Sequence, residues 1–263
     1  MSVTVRDLRT FKERGERFVM LTAYDYPTAR ILDEAGIPVI LVGDSVGNNV
    51  LGYETTIPVT MQEMLHHTRA VVRGATNALV VGDMPFMSFH TAIEDAIANA
   101  GRFLKEGGAH AIKLERPVIE VAAAIVDRGI PVMGHIGLGP QSVHAMGGYR
   151  VQGRTEEDAR KILDEAQALD KAGIFALVLE GIPSDLAARI TETMSAPTIG
   201  IGAGPHCDGQ VLVINDLLGL GFGSYPKFAK PYAHLRETIA EAVTRFAADV
   251  AAGEFPDEAH AYR

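Results

Sequence analysis

The chain has 263 residues, 47% hydrophobic and 22% charged, which suits one folded α/β barrel of about 250 residues and excludes a disordered or low-complexity chain. A formal net charge of −9 without a run of Lys or Arg argues against nucleic acid and anionic membrane as partners, because both are held through clustered positive charge. The lone cysteine, Cys207, rules out an intrachain disulfide; no apolar run approaches the ~18 residues of a membrane span, and the opening Met1–Asp7 lacks the apolar core of a signal peptide, so a cytoplasmic protein is expected.

In chain order, short runs rich in Val, Ile and Leu alternate with longer stretches of helical periodicity. Strands are expected at Phe18–Asp25, Pro38–Asp44, Ala78–Pro85, His110–Glu115, Pro131–Gly137, Phe175–Glu180 and Pro197–Gly202. Runs such as Val39-Ile40-Leu41-Val42 are apolar throughout, which fits strands covered on both faces in a parallel sheet. Between them, Ile93, Ile97, Ala100 and Leu104 recur at helical spacing. Thr60-x-x-Glu63 and Thr91-x-x-Glu94 have the form of capping boxes, and Gly36, Gly108, Gly129 and Gly173 close helices before the next strand. An eighth strand is expected in Phe222–Tyr232, despite Pro226 and Pro231. Leu235, Ile239, Val243, Phe246 and Val250 share one face of a last long helix, and the tail after Gly253 is expected to be loosely ordered. Repeated βα units fit either a closed barrel or an open doubly wound sheet. The expectation is a (β/α)8 TIM barrel occupying residues 1–263 as a single catalytic domain, with a short N-terminal segment ahead of it.

The ends of the strands carry the chemistry. They finish in Asp25, Gly43-Asp44-Ser45, Gly82-Asp83, Lys113-Leu114-Glu115 and Glu180, and the fifth reaches His135. In a parallel barrel all these ends share one rim, where active sites of the fold lie. A single Asp at a strand end is usually a helix cap; ionisable residues at six strand ends together are harder to explain that way. Crowded carboxylates raise one another's pKa and are costly to desolvate, a conflict that a divalent cation resolves. Oxygen donors without cysteine favour Mg²⁺, held by Asp44 and Asp83. Lys113 and Glu115, two apart, point to the same face of their strand.

Other features weigh less. Gly200-Ile201-Gly202-Ala203-Gly204 looks like a dinucleotide fingerprint, but Pro205 interrupts the helix start, so close backbone approach is the better reading. His66 and His67 read as surface or packing residues, Cys207 as a buried small residue, and Met133 and Met146 as core filling. The Gly-hinged, polar loop His144–Thr155, containing Gly147-Gly148-Tyr149-Arg150-Val151-Gln152-Gly153-Arg154, reads as a lid or as a plain connection.

Taken together, Leu21-Thr22-Ala23-Tyr24-Asp25, Val42-Gly43-Asp44-Ser45, Gly82-Asp83-Met84-Pro85-Phe86, Lys113-Leu114-Glu115, Gly134-His135-Ile136-Gly137-Leu138, Gly148-Tyr149-Arg150-Val151-Gln152-Gly153, Thr198–Gly204 and Asp208–Val213 give the chain a specific likeness. Over nearly its whole length it resembles the 3-methyl-2-oxobutanoate hydroxymethyltransferase (ketopantoate hydroxymethyltransferase) family. The resemblance implies a (β/α)8 barrel, Mg²⁺, 5,10-methylenetetrahydrofolate as one-carbon donor, and conversion of 3-methyl-2-oxobutanoate to 2-dehydropantoate, the first committed step towards pantothenate and coenzyme A. It implies metal contacts at Asp44, Asp83 and Glu115, substrate contacts at Asp44, Ser45, Asp83 and Lys113, a catalytic base at Glu180, and a homo-oligomer, commonly a decamer. His135 is expected to position substrate or folate. Three positions depart from the family pattern: Arg116 and Gly139 stand where Gly and Thr are usual, and Gly181 where a larger or polar residue is common. Rival readings are a phosphoenolpyruvate-mutase or isocitrate-lyase type enzyme, whose cysteine-containing motif is not found, and a non-catalytic metabolite-binding barrel, which needs no base.

Overall fold

The computed structural model describes residues 2–148, 150–223 and 225–262; of Met146 only the backbone is described. The chain divides into two compact units, Met1–Val213 and Ile214–Arg263. The first holds β1 Phe18–Thr22, β2 Val39–Val42, β3 Leu79–Asp83, β4 Ala111–Lys113, β5 Val132–Gly137, β6 Ala176–Glu180, β7 Thr198–Ile201 and β8 Gly209–Leu212. All are parallel and close in sequence order into a barrel, β8 pairing back to β1 through Phe18–Gly209 and Leu21–Leu212. Helices α1 Val5–Arg14, α2 Tyr26–Glu34, α3 Met61–Gly74, α4 Ile93–Lys105, α5 Ile119–Val126, α6 Val143–Met146, α7 Glu156–Lys171 and α8 Ser184–Thr193 belong to the same unit.

The eighth strand is not where the sequence pointed. It is Gly209-Gln210-Val211-Leu212, whereas 222–232 contains no strand among its described residues. Two prolines, each without an N–H for a ladder, make 222–232 a poor central strand. Gly209-Gln210-Val211-Leu212 is short, and Gln210 is exposed, so its apolar signal is weak.

Alternate residues of each strand fill the barrel. Met20, Val39, Leu41, Leu79, Val81, Ala111, Met133, Ala176, Val178, Ile199 and Val211 form one buried cluster, joined by Leu8 of α1. Val3, Val5 and Phe11 also pack against it, so the N-terminal segment covers part of the barrel core. Residues of the other parity meet the helices. Gly82 in β3 is an example: a Cβ there would collide with the Phe103 ring of α4.

Helix ends follow the local chemistry in most places. Thr60 and Glu63 form the reciprocal cap of α3, with Thr60 N–H donating to Glu63 Oε2 at 2.7 Å and Glu63 N–H donating to Thr60 Oγ1 at 3.2 Å. Gly36, Gly108, Gly129 and Gly173 all take positive φ (76–88°), the left-handed turn that glycine enters without a Cβ clash. The second expected capping box does not form. The N-cap of α4 is Ala92, and Thr91 instead donates its hydroxyl to Asp95 at 3.0 Å.

The second unit contains α9 Ile214–Leu218 and α10 Leu235–Ala252. Along α10, Ile239, Val243, Phe246 and Val250 are exposed. After Gly253 the tail includes one 3-10 turn, Glu258–His260, capped by the Asp257 carboxylate. No helix among the described residues is long and apolar enough to cross a membrane.

Candidate active site

The parity that packs the barrel also builds the site. Leu79 and Val81 lead to Asp83, Ala111 leads to Lys113 and Glu115, Met133 to His135, and Ala176 and Val178 to Glu180. Each row is apolar at its lower end and ionisable at its C-terminal end, on the rim where this fold places its chemistry. The register sets Asp83 beside Lys113 and Gly137 beside Glu180. Asp44 comes from the turn after β2. Asp44, Asp83, Lys113, Glu115 and His135 are all buried, and the Glu180 side chain is 16% exposed.

Lys113 Nζ donates to both oxygens of Asp83, at 2.7 and 2.8 Å. Asp83 Oδ2 also accepts the Asp44 N–H at 3.2 Å. Burial alone would lower the Lys113 pKa, but the carboxylates of Asp83, Asp44 and Glu115 raise it above its ordinary value. Asp44 is pushed up to about 7, first by burial and then by Asp83, against the pull of Lys113, Gln141 and Thr56. Glu115 is raised well above the usual range by burial and by Asp44, Asp83 and Glu180, with Lys113 opposing. One ammonium thus faces several buried carboxylates, and ionising all of them would leave negative charge that the described side chains do not balance.

His135 Nε2 lies 3.2 Å from Glu180 Oε2, and its Nδ1 lies 3.9 Å from Glu115 Oε2. Neither approach has hydrogen-bond geometry, so both ring nitrogens lack partners. The other buried side-chain polar atoms without partners, among the described residues, are Gln141 Oε1 and Thr56 Oγ1. The Thr56 hydroxyl lies close enough to Asp44 to favour the ionised carboxylate, although it meets no hydrogen-bond geometry. All these orphans belong to residues around the carboxylate cluster. Buried polar groups are nearly always satisfied, so a concentration of orphans marks where a bound polar species belongs.

Ser45 is half-buried, and its Oγ lies 2.8 Å from the Tyr24 hydroxyl. Asp25, also at a strand end, plays the bland role: it is exposed and caps α2 by accepting the Thr28 N–H at 2.8 Å. Cys207 and Met133 are buried as expected, and His67 Nδ1 packs onto Tyr24 O at 2.6 Å. In the glycine run, Gly200 faces Cys207 Sγ and Gln210, so its backbone approach serves packing within the barrel. In the loop after β5, Gln152 N–H donates to Gly181 O at 2.9 Å, fastening that segment beside Glu180. Tyr149 and the Met146 side chain lie outside the described residues.

Gln141, which the sequence reading passed over, sits at the centre. Its N–H donates to Glu115 Oε1 at 3.0 Å, and its side-chain amide donates to Asp44 Oδ2 at 2.9 Å and Met84 O at 3.0 Å. Two of the three positions at which a departure from the family pattern is expected touch this neighbourhood. A Cβ on Gly139 would come within 2.5 Å of Glu115 Oε1. Arg116 has φ 73°, a left-handed backbone uncommon for a side-chain-bearing residue, and donates from Nη1 to Ser142 Oγ at 3.1 Å. Arg116, Glu115, His135, Gln152 and Lys161 share the lining of a cavity of about 160 Å³.

No set of three His, Cys, Asp or Glu side chains among the described residues is arranged to hold a metal ion. Mg²⁺ does not need one, since it commonly takes one or two carboxylates and leaves its other positions to water and ligand. The donor set is hard oxygen, and the charge that ionised Asp44 and Glu115 would add has the right sign for a cation.

Comparison with known proteins gives the chain a lineage. A family model described as ketopantoate hydroxymethyltransferase matches residues 2–258. The 3-methyl-2-oxobutanoate hydroxymethyltransferase of Geobacter metallireducens is 57% identical over 261 residues, covering 98% of each chain. That of Moorella thermoacetica is 56% identical over 263 residues, covering 99% of this chain and 98% of the relative. Among solved structures, phosphonopyruvate hydrolase in complex with oxalate and Mg²⁺ superposes with a TM-score of 0.63 at 14% identity, over 98% of this chain and 93% of its own. A 2,3-dimethylmalate lyase of the phosphoenolpyruvate-mutase/isocitrate-lyase superfamily gives 0.63 at 16% identity, over 99% and 89%. At such identities the solved structures share the barrel alone, while the family model and the sequence relatives match nearly the whole chain: this chain belongs to the ketopantoate hydroxymethyltransferase family of enzymes.

Proposed function

We propose that the chain transfers a hydroxymethyl unit from 5,10-methylenetetrahydrofolate to C3 of 3-methyl-2-oxobutanoate, giving 2-dehydropantoate for pantothenate synthesis. The observation that carries this reading is the gathering of Asp44, Asp83, Lys113, Glu115, His135 and Glu180 into one cluster on the barrel rim. Family membership, with relatives named for this activity, supports the choice of substrate.

Asp44 and Asp83 would hold a divalent cation, Mg²⁺ by its preference for oxygen donors, with Glu115 reaching it through water. Asp83 already accepts three hydrogen bonds, and a carboxylate offers about four lone-pair directions, so one remains. When bound, the ion supplies Lewis-acid polarisation of a 2-oxo acid's keto group. Lys113 adds a fixed positive charge beside Asp83, where a developing oxyanion or the substrate carboxylate gains from it. Ser45, held by Tyr24, offers a hydroxyl to the substrate carboxylate.

Glu180 removes the C3 proton. It is the least buried of the cluster's carboxylates. His135, 3.2 Å away, orients that carboxylate or the substrate. The deprotonated C3 then bonds to the donor's methylene carbon as both of that carbon's C–N bonds break; one water supplies the hydroxyl oxygen, and the folate nitrogens take up the C3 proton and the second water proton as tetrahydrofolate leaves. The loop around Gln152 acts as a lid, hinged at Gly147 and Gly148. A homo-oligomer is supported by the exposed apolar row on α10, which water alone would leave uncovered.

The test is a product assay. Purified chain with 3-methyl-2-oxobutanoate, methylenetetrahydrofolate and Mg²⁺ should form 2-dehydropantoate and stop when a chelator is added. Product formation indifferent to chelator would remove the metal from the reading; carbon–carbon cleavage in place of transfer would favour the lyase-type rival.

A further inference from the structure

Gln141 lies in a 3-10 turn, Pro140–Ser142, after β5, and is 3% exposed. Its backbone and side chain between them touch three of the elements that form the cluster: the turn carrying Asp44, the loop after β3 through Met84 O, and Glu115 after β4. The orientation of its amide is fixed by chemistry. Asp44 Oδ2 and Met84 O are both acceptors, so the amide nitrogen must face them and the oxygen must face away. That oxygen, Oε1, is buried and has no hydrogen-bond partner. A fully sequestered amide with both donors used and its acceptor idle is unfavourable unless a donor arrives with a ligand.

The substrate as proposed offers no such donor, since a 2-oxo acid presents only acceptors. Water carried by a divalent cation does. We propose that Gln141 is a positioning residue for the metal: its side-chain amide N–H group aims the Asp44 carboxylate, its backbone N–H holds Glu115 in line, and its Oε1 accepts a hydrogen bond from a water of the ion's shell. This deepens the function proposed above and rests on it. Groups that orient metal ligands are commonly worth 10–100-fold in metal affinity.

The experiment measures Mn²⁺ binding to the metal-free full chain by electron paramagnetic resonance, without substrate, together with the water-proton relaxation enhancement of the bound ion. Gln141→Met keeps the length and removes the donors and the acceptor. Gln141→Leu likewise removes the side-chain donors and the acceptor without adding charge, and serves as the second variant where the first does not fold. Both should retain the parental far-UV circular dichroism and bind Mn²⁺ roughly 10–100-fold more weakly. Gln141→Met should alter the relaxation enhancement of bound Mn²⁺, a change that loss of mere packing does not produce. Saturating Mn²⁺ should restore KM for the 2-oxo acid more fully than kcat. Mn²⁺ affinity within twofold of the parent, with unchanged relaxation, overturns the role of Gln141 while leaving the parental reaction standing. A parent that makes product yet binds no Mn²⁺ overturns both the metal and the part given to Gln141; a parent that binds Mn²⁺ and makes no product overturns the proposed reaction alone.

Discussion

Lys113→Met is the perturbation that most directly tests the charge balance of the rim. Lys113 Nζ lies 2.7 Å from Asp83 Oδ1, and the two side chains are 6% and 2% exposed. At an effective dielectric near 20, unit charges about 3 Å apart interact by roughly 5 kcal/mol. Removing one partner of a buried pair costs about 3–5 kcal/mol. The metal-free variant should therefore lose about 3–5 kcal/mol of stability at pH 8. The pH dependence has a definite sign. Asp44 is already raised to about 7, and Glu115 is raised well above its usual range, with Lys113 opposing both shifts. Without Lys113 these folded-state values rise further, so the folded protein keeps protons that the unfolded chain releases. Stability from such groups is fully present below the unfolded pKa and is lost as pH rises through the folded one. The gap between variant and parent should be wide at pH 8 and narrow at pH 5. Urea denaturation of metal-free protein at both pH values, followed by far-UV circular dichroism, reads it. Curves that coincide within about 1 kcal/mol at pH 8 would falsify the view that Lys113 is the main internal counter-charge.

Two further outcomes follow from the same cluster. Asp83→Ala removes a proposed metal ligand and leaves Lys113 buried without its main partner; calorimetric titration should show Mg²⁺ and 3-methyl-2-oxobutanoate weakened together, and unchanged binding of both would count against a shared site. Because Asp44 has its pKa raised to about 7 in the metal-free protein, a cation must displace its proton below that pH. Divalent-ion affinity should rise as pH approaches about 7 and level off above it, with proton release detected by titration in buffers of different ionisation enthalpy; a pH-independent affinity from 6 to 8 would place the ion elsewhere.

Much of this was legible in the residues, for physical reasons that also explain what was not. Seven strands announced themselves because buried parallel strands are continuously apolar, as in Val39–Val42. The eighth, Gly209–Leu212, offers one glycine, one exposed glutamine and only two apolar residues, and its identity depends on pairing with β1 and β7. The rim was visible because ionisable side chains at the ends of apolar runs are costly unless they serve a purpose. Asp25 looked the same in sequence and proved to be a helix cap, since only its own Thr28 N–H distinguishes it. Gln141 gave no such signal. A glutamine after Gly139-Pro140 reads as an ordinary turn residue, and its importance comes from contacts to Asp44 and Met84, 97 and 57 residues away. Arg116 was noticed only as a departure from a family pattern; its left-handed φ of 73° gives a backbone reason why glycine suits that position.

The proposed chemistry turns on a base beside a bound ketone, and one measurement reaches it most directly. Proton exchange at C3 of 3-methyl-2-oxobutanoate in D₂O, followed by NMR with Mg²⁺ and no folate, isolates the first step. The parent should exchange this hydrogen, and Glu180→Gln should exchange it at least 100-fold more slowly while binding the 2-oxo acid with nearly parental affinity, about the 10²–10⁴-fold contribution of a general base. Exchange in Glu180→Gln at the parental rate would mean that another group takes the proton and that Glu180 is not the base.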